Sequence, residues 1–358
     1  MDIIDGHSSQ HNALLNLSAN QPEYKNEKLT KGDIWALFKV LEKDVFTAHL
    51  NLSYNQIREE EAKTIGLTLA KNKILKTLNL TMCDIHTRGV MPICQALQYN
   101  GTLTKLVLRG NNFGIKGGTE LATALQINNT LEYLDISNTD QDTTSLIAIF
   151  TVLHYNTTLK YIDLSSPKTI KRREELIVHA CETLIANSTL ESLILRKHGI
   201  NDPAASNLAW ALCQNKGLKH IDLSCNNINA NGAMSLAELL NKNTPLEGLS
   251  LCSNEIGDEG IESLSEILAT RNCVLRKLWV TNNSIQGAGL SSLARSLFTN
   301  NSLSHVYIWG NKLDDKACTA FEVLFNKGRL AEENTDVMSY RVDGVTYLAE
   351  RGQYGFSH

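Results

Sequence analysis

The sequence predicts an α/β solenoid of ten or eleven coils, with parallel strands on a concave face and helices on a convex one. Three observations carry that prediction. The frame Leu-x-x-Leu-x-Leu-x-x-Asn-x-Ile, whole in Leu246–Ile256 (LEGLSLCSNEI), returns as LKHIDLSCNNI from Leu218, LRKLWVTNNSI from Leu275 and LSHVYIWGNKL from Leu303. Its first position falls at Thr47, Leu75, Leu103, Leu131, Leu159, Leu190, Leu218, Leu246, Leu275 and Leu303, at intervals of 28 residues except for one of 31 and one of 29. Behind each frame lies a helical pattern, clearest in GDEGIESLSEILAT, where Ile261, Leu264, Ile267 and Leu268 share a stripe. Self-similarity at such a period marks a stacked array.

The frame has a physical reading. Residues of a strand alternate between faces, so the fourth and sixth positions point into a shared core and the third, fifth and seventh point out. Asn recurs at the ninth position, as Asn55, Asn111, Asn226, Asn254, Asn283 and Asn311. Its amide is expected to serve backbone groups of neighbouring coils that would otherwise be buried unpaired. A single coil buries too little apolar surface to offset ordering its backbone, so neighbours must cover each other's open sides.

Taken in order, residues 1–46 read as an N-terminal cap, 47–330 as the array and 331–358 as a C-terminal hairpin and tail. Residues 1–11 are polar and read as loose. The segment NALLNLSAN (12–20) matches half a repeat with Leu15 and Leu17 inward, a candidate eleventh strand at the edge. Thr30 with Asp33 is a capping-box signal, and Ile34, Leu37, Phe38, Leu41 and Val45 line one face of the helix it opens. The fifth coil is irregular: Pro167 takes the Asn position, and SSPKTIKRREE precedes a helix expected to resume at Leu176. That insertion gathers Lys168, Lys171, Arg172 and Arg173, as either a solvated loop or a partner contact. His198 replaces Asn in the next coil. Phe321, Leu324 and Phe325 mark a last helix within 314–328. Beyond it Asp343-Gly344, between Tyr340 and Tyr347, signals a hairpin that caps the array and leaves an extended end.

Composition narrows the function. Apolar residues make up 42% of 358, enough for a large core. A net charge of −4 and a pI near 6.2 give no electrostatic case for nucleic acid or for an anionic membrane. The N-terminus lacks a signal-peptide pattern and no run approaches 18 apolar residues, so an intracellular, cytoplasmic chain is expected. The eight cysteines sit inside the repeat frame, with Cys83 at an Asn position, and read as reduced thiols. No zinc spacing occurs, so neither metal nor cofactor is expected. The Asn-x-Ser/Thr triplets at Asn51, Asn79, Asn100, Asn128, Asn156 and Asn187 follow from the repeat rather than from glycosylation.

Signatures of catalysis do not appear. GNNFGIKGGT (110–119) lacks the phosphate-loop spacing and falls where the frame needs a bend. His49, His220 and His305 all occupy outward third positions but lie coils apart, which reads as surface histidines on a binding face. A non-enzyme is the expectation.

Function is then read from the outward columns, because parallel strands set equal positions side by side. Two zones stand out. Trp279, Tyr307 and Trp309 adjoin Lys277 and His305 near the C-terminus. Tyr133 and Tyr161 adjoin Asp135 and Asp163 in the middle, with Arg109 and Arg196 flanking. Large aromatics beside charges are the composition of interface hot spots. The C-terminal strip either meets a partner or lies under the chain's own tail. Trp210 falls on the outer side of its helix, as a second docking point or in packing against a neighbouring helix. Partners are expected to be one or more proteins, with the chain a monomeric subunit of a larger complex.

The 28-residue period and the turn sequence resemble the ribonuclease-inhibitor type of leucine-rich repeat over about residues 47–330. The resemblance implies an intracellular protein-binding scaffold, and because the type includes axonemal proteins, a place in a cilium or flagellum. It also raises a GTPase-activating role like that of the Ran-type member, with Arg109 or Arg196 contributing; the acidic tail of that member is missing here. Inhibition of a basic enzyme is a third reading, and would need a more acidic face than Asp135, Asp163 and Asp222 supply.

Overall fold

The computed structural model describes residues 13–21, 27–242, 244–270 and 274–351. The loose leader 1–11, residues 12 and 22–26 of the N-terminal segments, and the extended end beyond Arg351 lie outside the described residues. Among the described residues, eleven parallel strands alternate with eleven helices, an α/β leucine-rich repeat solenoid. The chain divides into two compact units, Met1–Asp163 with Pro167–Thr169, and Leu164–Ser166 with Ile170–His358. The division falls in the fifth coil, where the sequence breaks its period.

The first unit carries β1 (Ala13–Asn16), β2 (Thr47–Asn51), β3 (Thr77–Asn79), β4 (Lys105–Val107), β5 (Tyr133–Asp135) and β6 (Tyr161–Asp163). Between and after them run α1 (Lys31–Leu41), α2 (Glu59–Leu69), α3 (Thr87–Leu97), α4 (Gly114–Ile127) and α5 (Thr143–Leu153). The half repeat is a true edge strand, with Leu15 beside Leu50 and Asn16 beside Asn51. The capping box of α1 is formed: Thr30 Oγ1 accepts from Asp33 N and the Asp33 carboxylate accepts from Thr30 N. That helix stops at Leu41, so Val45 falls off its buried stripe and is exposed.

The second unit holds α6 (Arg173–Ala186), β7 (Ser192–Ile194), α7 (Asp202–Leu212), β8 (His220–Asp222), α8 (Ala230–Leu240) and β9 (Gly248–Ser250). It continues with α9 (Gly257–Thr270), β10 (Lys277–Trp279), α10 (Gly287–Leu297), β11 (His305–Tyr307) and α11 (Asp315–Asn326). Helix α6 begins at Arg173, three residues before Leu176, because Glu174 and Glu175 suit a first turn and Arg172 pairs with Glu175 at 2.9 Å. On α9, Ser265 is buried and Ile267 only half so; the Ser265 hydroxyl donates to the Ile261 carbonyl at 2.6 Å.

Within each unit the ninth-position Asn residues link neighbouring coils. Asn111 Nδ2 donates to the carbonyls of Leu80 and Leu108, and its Oδ1 accepts from Cys83 N and Ile85 N. Asn226 does the same with Leu195, Leu223, His198 N and Ile200 N. At Cys83 and His198, where Asn is missing, another donor takes its place. The Cys83 thiol, pushed up to about 12 by burial and therefore protonated, donates to Leu52 O at 3.1 Å. His198 Nε2 lies 3.0 Å from Leu164 O. The eighth position of every coil is left-handed, with φ between 52° and 77°, yet glycine fills it only at Gly110 and Gly310.

Two short strands end the described chain, β12 (Val337–Val342) and β13 (Val345–Glu350), antiparallel around Asp343-Gly344, both at positive φ as a type I′ turn requires. The hairpin packs on α11, burying Val337 and Leu348. Glu322 of α11 accepts from Arg341 Nε at 2.7 Å and from Thr346 Oγ1 at 2.8 Å. Just before β12, the Asp336 carboxylate accepts from Ile308 N and Trp309 N at 2.8 and 3.0 Å. It thus pairs Ile308 N, whose counterparts in other coils bond the next coil, and Trp309 N, whose counterparts bond an Asn or Asp where this coil has Tyr307.

Candidate protein-binding face

A strand only three residues long presents two outward side chains, at the third and fifth positions of its coil. In the first unit the register sets Lys105, Tyr133 and Tyr161 in one row and Val107, Asp135 and Asp163 in the next. Tyr133 and Tyr161 stack with ring centroids 4.0 Å apart and planes 2° from parallel, and Lys105 Nζ sits 3.8 Å above the Tyr133 ring. Burial, first of all, pushes both phenols above their ordinary range, so they stay neutral.

The two carboxylates of this zone prove less available than their outward parity implies. Asp135 and Asp163 are both buried. Asp135 accepts from Ser137 N and Oγ at 2.9 and 2.6 Å, closing the turn after β5; burial holds its pKa above the usual range in spite of those bonds. Asn51, Asn79 and Asp222 each cap the same turn of their own coil. Arg109, two residues beyond β4, is exposed. Arg196 belongs to the second unit, where its Nε meets the Asp222 carboxylate at 3.0 Å.

In the second unit the register runs His220, Gly248, Lys277, His305 and, beside it, Asp222, Ser250, Trp279, Tyr307. Trp279 and Tyr307 stack at 5.3 Å and 5°. Lys277 Nζ lies 6.0 Å from the Trp279 ring, and His305 Nδ1 lies 2.8 Å from Ser304 Oγ. Burial and then the Lys277 charge lower the His305 pKa, which keeps that ring neutral at pH 7. Trp309 is half-buried, its backbone N–H held by Asp336. Lys277, Trp279, His305 and Tyr307 therefore share one face. The hairpin lies on α11. Trp210 is 63% exposed on α7, away from the strands.

Gly248 was invisible as a functional position in the sequence. A Cβ there would stand 2.5 Å from His220 Cδ2 and 3.4 Å from Trp279 Cζ3, so the missing side chain lets both rings lean over this strand. A second Asn ladder also escaped notice. Asn100, Asn128 and Asn215 donate to Leu69, Leu97 and Leu184 one coil back, and their Oδ1 atoms accept from the Leu three residues on. The recurrent Asn three residues before each frame from Leu75 onward was the available signal. Buried as they are, Asn100, Asn128 and Asn187 sit in their triplets for structural reasons.

Among the described residues no group of His, Cys, Asp and Glu is placed to hold a metal ion, and no helix is long and apolar enough to cross a membrane.

Comparison with known proteins gives the following. The family described as Leucine Rich repeat matches residues 71–94, 99–122, 186–209, 214–237, 242–265 and 271–294. Human leucine-rich repeat-containing protein 34 is 50% identical over 184 residues, 51% of this chain and 40% of the human protein. The mouse protein of the same name is 47% identical over 178 residues, 50% of this chain and 43% of its own length. The chain thus matches less than half the length of these curated relatives. Among solved structures, leiomodin-1 actin-binding site 2 aligns with a TM-score of 0.37 and 18% identity, over 44% of this chain and 86% of that one.

Proposed function

Because this chain is a leucine-rich repeat protein, similar to leucine-rich repeat-containing protein 34, we propose that it is a non-catalytic scaffold that binds partner proteins through its strand face. The observation that supports the reading is the strip Lys277, Trp279, His305, Tyr307 and Trp309, where three large aromatics stand half-buried beside a cation on a face made of three-residue strands. Half-exposed Trp and Tyr give large contact area at low entropic cost, which is why they dominate interface energetics. The first-unit stack of Lys105, Tyr133 and Tyr161, with Asp135, Asp163 and Arg109 around it, is the secondary contact zone. The role is assembly of a larger complex, and a cilium or flagellum is the compartment in which to look for it.

The test is Trp279→Ala combined with Trp309→Ala. The double variant keeps its melting temperature within a few degrees and recovers its partners at least ten-fold less well in co-purification, the loss expected for two central aromatics. Full recovery with an intact fold rules this strip out as the contact.

A further inference from the structure

Strand alternation assigns the residues of the C-terminal hairpin to two faces. Val337, Ser339, Arg341, Thr346, Leu348 and Glu350 share one face; Val337 and Leu348 are buried, Arg341 and Thr346 bond Glu322 of α11, and Ser339 bonds Glu332. The opposite face carries Met338, Tyr340, Val342, Val345, Tyr347 and Ala349, with no charged or strongly polar side chain among them. Its five large members are each 40–50% exposed. A hairpin that only capped the array would present polar residues on its wet side; here the alternation has been spent on a second apolar face. Tyr340 and Tyr347 stack across the strands at its centre, centroids 5.5 Å apart. No other strand pairs with either edge of this sheet among the described residues.

We propose that this face is where two copies of the chain meet, hairpin on hairpin, as a weak and reversible dimer. The register carries the choice of occupant. Met338 stands opposite Ala349, Tyr340 opposite Tyr347 and Val342 opposite Val345. A twofold axis parallel to the strands lays each residue over the cross-strand counterpart of the second copy. Met338 then covers Ala349 twice, large over small, Tyr340 covers Tyr347, and Val342 covers Val345. The face is self-complementary in size, and two copies of a chain with net charge −4 meet here without opposing like charges. The area sets the strength. Six side chains exposed to this extent offer roughly 400 Å² per copy, about the largest apolar patch that a monomer carries. The pair buries about 800 Å², below the ~1,200 Å² of permanent assemblies, so association is transient.

The experiment is sedimentation equilibrium of the full chain from ~1 to ~300 µM, a span that covers weak dimers of this interface size. The expected result is a mass rising from 39.7 kDa toward twice that value with concentration. Tyr340→Lys alone and Tyr347→Glu alone each remain monomeric throughout, with unchanged thermal melts, since both positions are exposed. Mixed in equal amounts they associate again, because residue 340 of one copy faces residue 347 of the other. A wild-type chain that stays monomeric to the highest concentration overturns the proposal. So does a dimer that neither substitution weakens, or two variants that fail to recombine.

Discussion

Trp279 and Tyr307 occupy the fifth position of successive coils and stack face to face, 5.3 Å between centroids and 5° from parallel. That spacing is close to the strand repeat of the sheet, so the pair is an extension of backbone register into side chains. Its surroundings are what make it a contact surface: Lys277 at 6.0 Å on one strand and an empty Cβ position at Gly248 on the strand before.

The Gly248 notch yields the first prediction. Gly248→Val places a strand-favouring residue at a backbone conformation open to any side chain, but its Cβ displaces the His220 ring and crowds Trp279. The melting temperature is expected to hold, while recovery of partners falls about ten-fold, the scale of one hot-spot residue. Co-purification beside a thermal melt separates the two effects.

A buried histidine in place of an amide makes stability depend on pH. Burial lowers the His198 pKa from 6.5 to about 4, against the opposing effect of its hydrogen bond to Leu164 O. With the folded value depressed, the unfolded chain binds the extra proton between pH 6.5 and 4, so stability is full above pH 6.5 and is lost progressively down to about pH 4. The loss is on the order of 3 kcal/mol at most. His198→Asn restores the donor used by the other coils, keeps neutral-pH stability within ~1 kcal/mol and removes this part of the acid sensitivity. Urea unfolding at pH 7 and pH 4.5 reads both.

The C-terminal cap rests on one carboxylate. Asp336→Ala leaves the N–H groups of Ile308 and Trp309 without their acceptor, at a cost of ~1–3 kcal/mol. Amide exchange at those two residues should speed up while exchange at Leu249 and Leu278, deeper in the same unit, changes little.

The second Asn ladder predicts a purely structural loss. Asn128→Ala removes the donor to Leu97 O and the acceptor of Leu131 N, both buried, and should destabilise by ~2 kcal/mol or more. Asn51→Ala, whose amide is only half-buried, should cost less.

The fold was legible because the period is a physical necessity: inward leucines at the fourth and sixth positions, such as Leu249 and Leu251, must recur at equal spacing if coils are to stack. The candidate face was legible only as parity. Alternation places Asp135 and Asp222 on the strand face, but it does not say that their carboxylates turn back to close their own turns or meet Arg196. The Asp-x-Ser pattern, Asp135 to Ser137 and Asp222 to Ser224, was the clue. Helix ends were the least legible, as Arg173 and Val45 demonstrate, because charge and capping shift them within one turn.

The most direct measurement is crosslinking mass spectrometry of the native complex with a lysine-reactive reagent. Binding through the strand face puts the interprotein crosslinks at Lys277 in β10, and the Trp279→Ala, Trp309→Ala variant loses them. Crosslinks confined to helix-side lysines such as Lys63, Lys116 and Lys316, with the same pattern in that variant, would contradict the account.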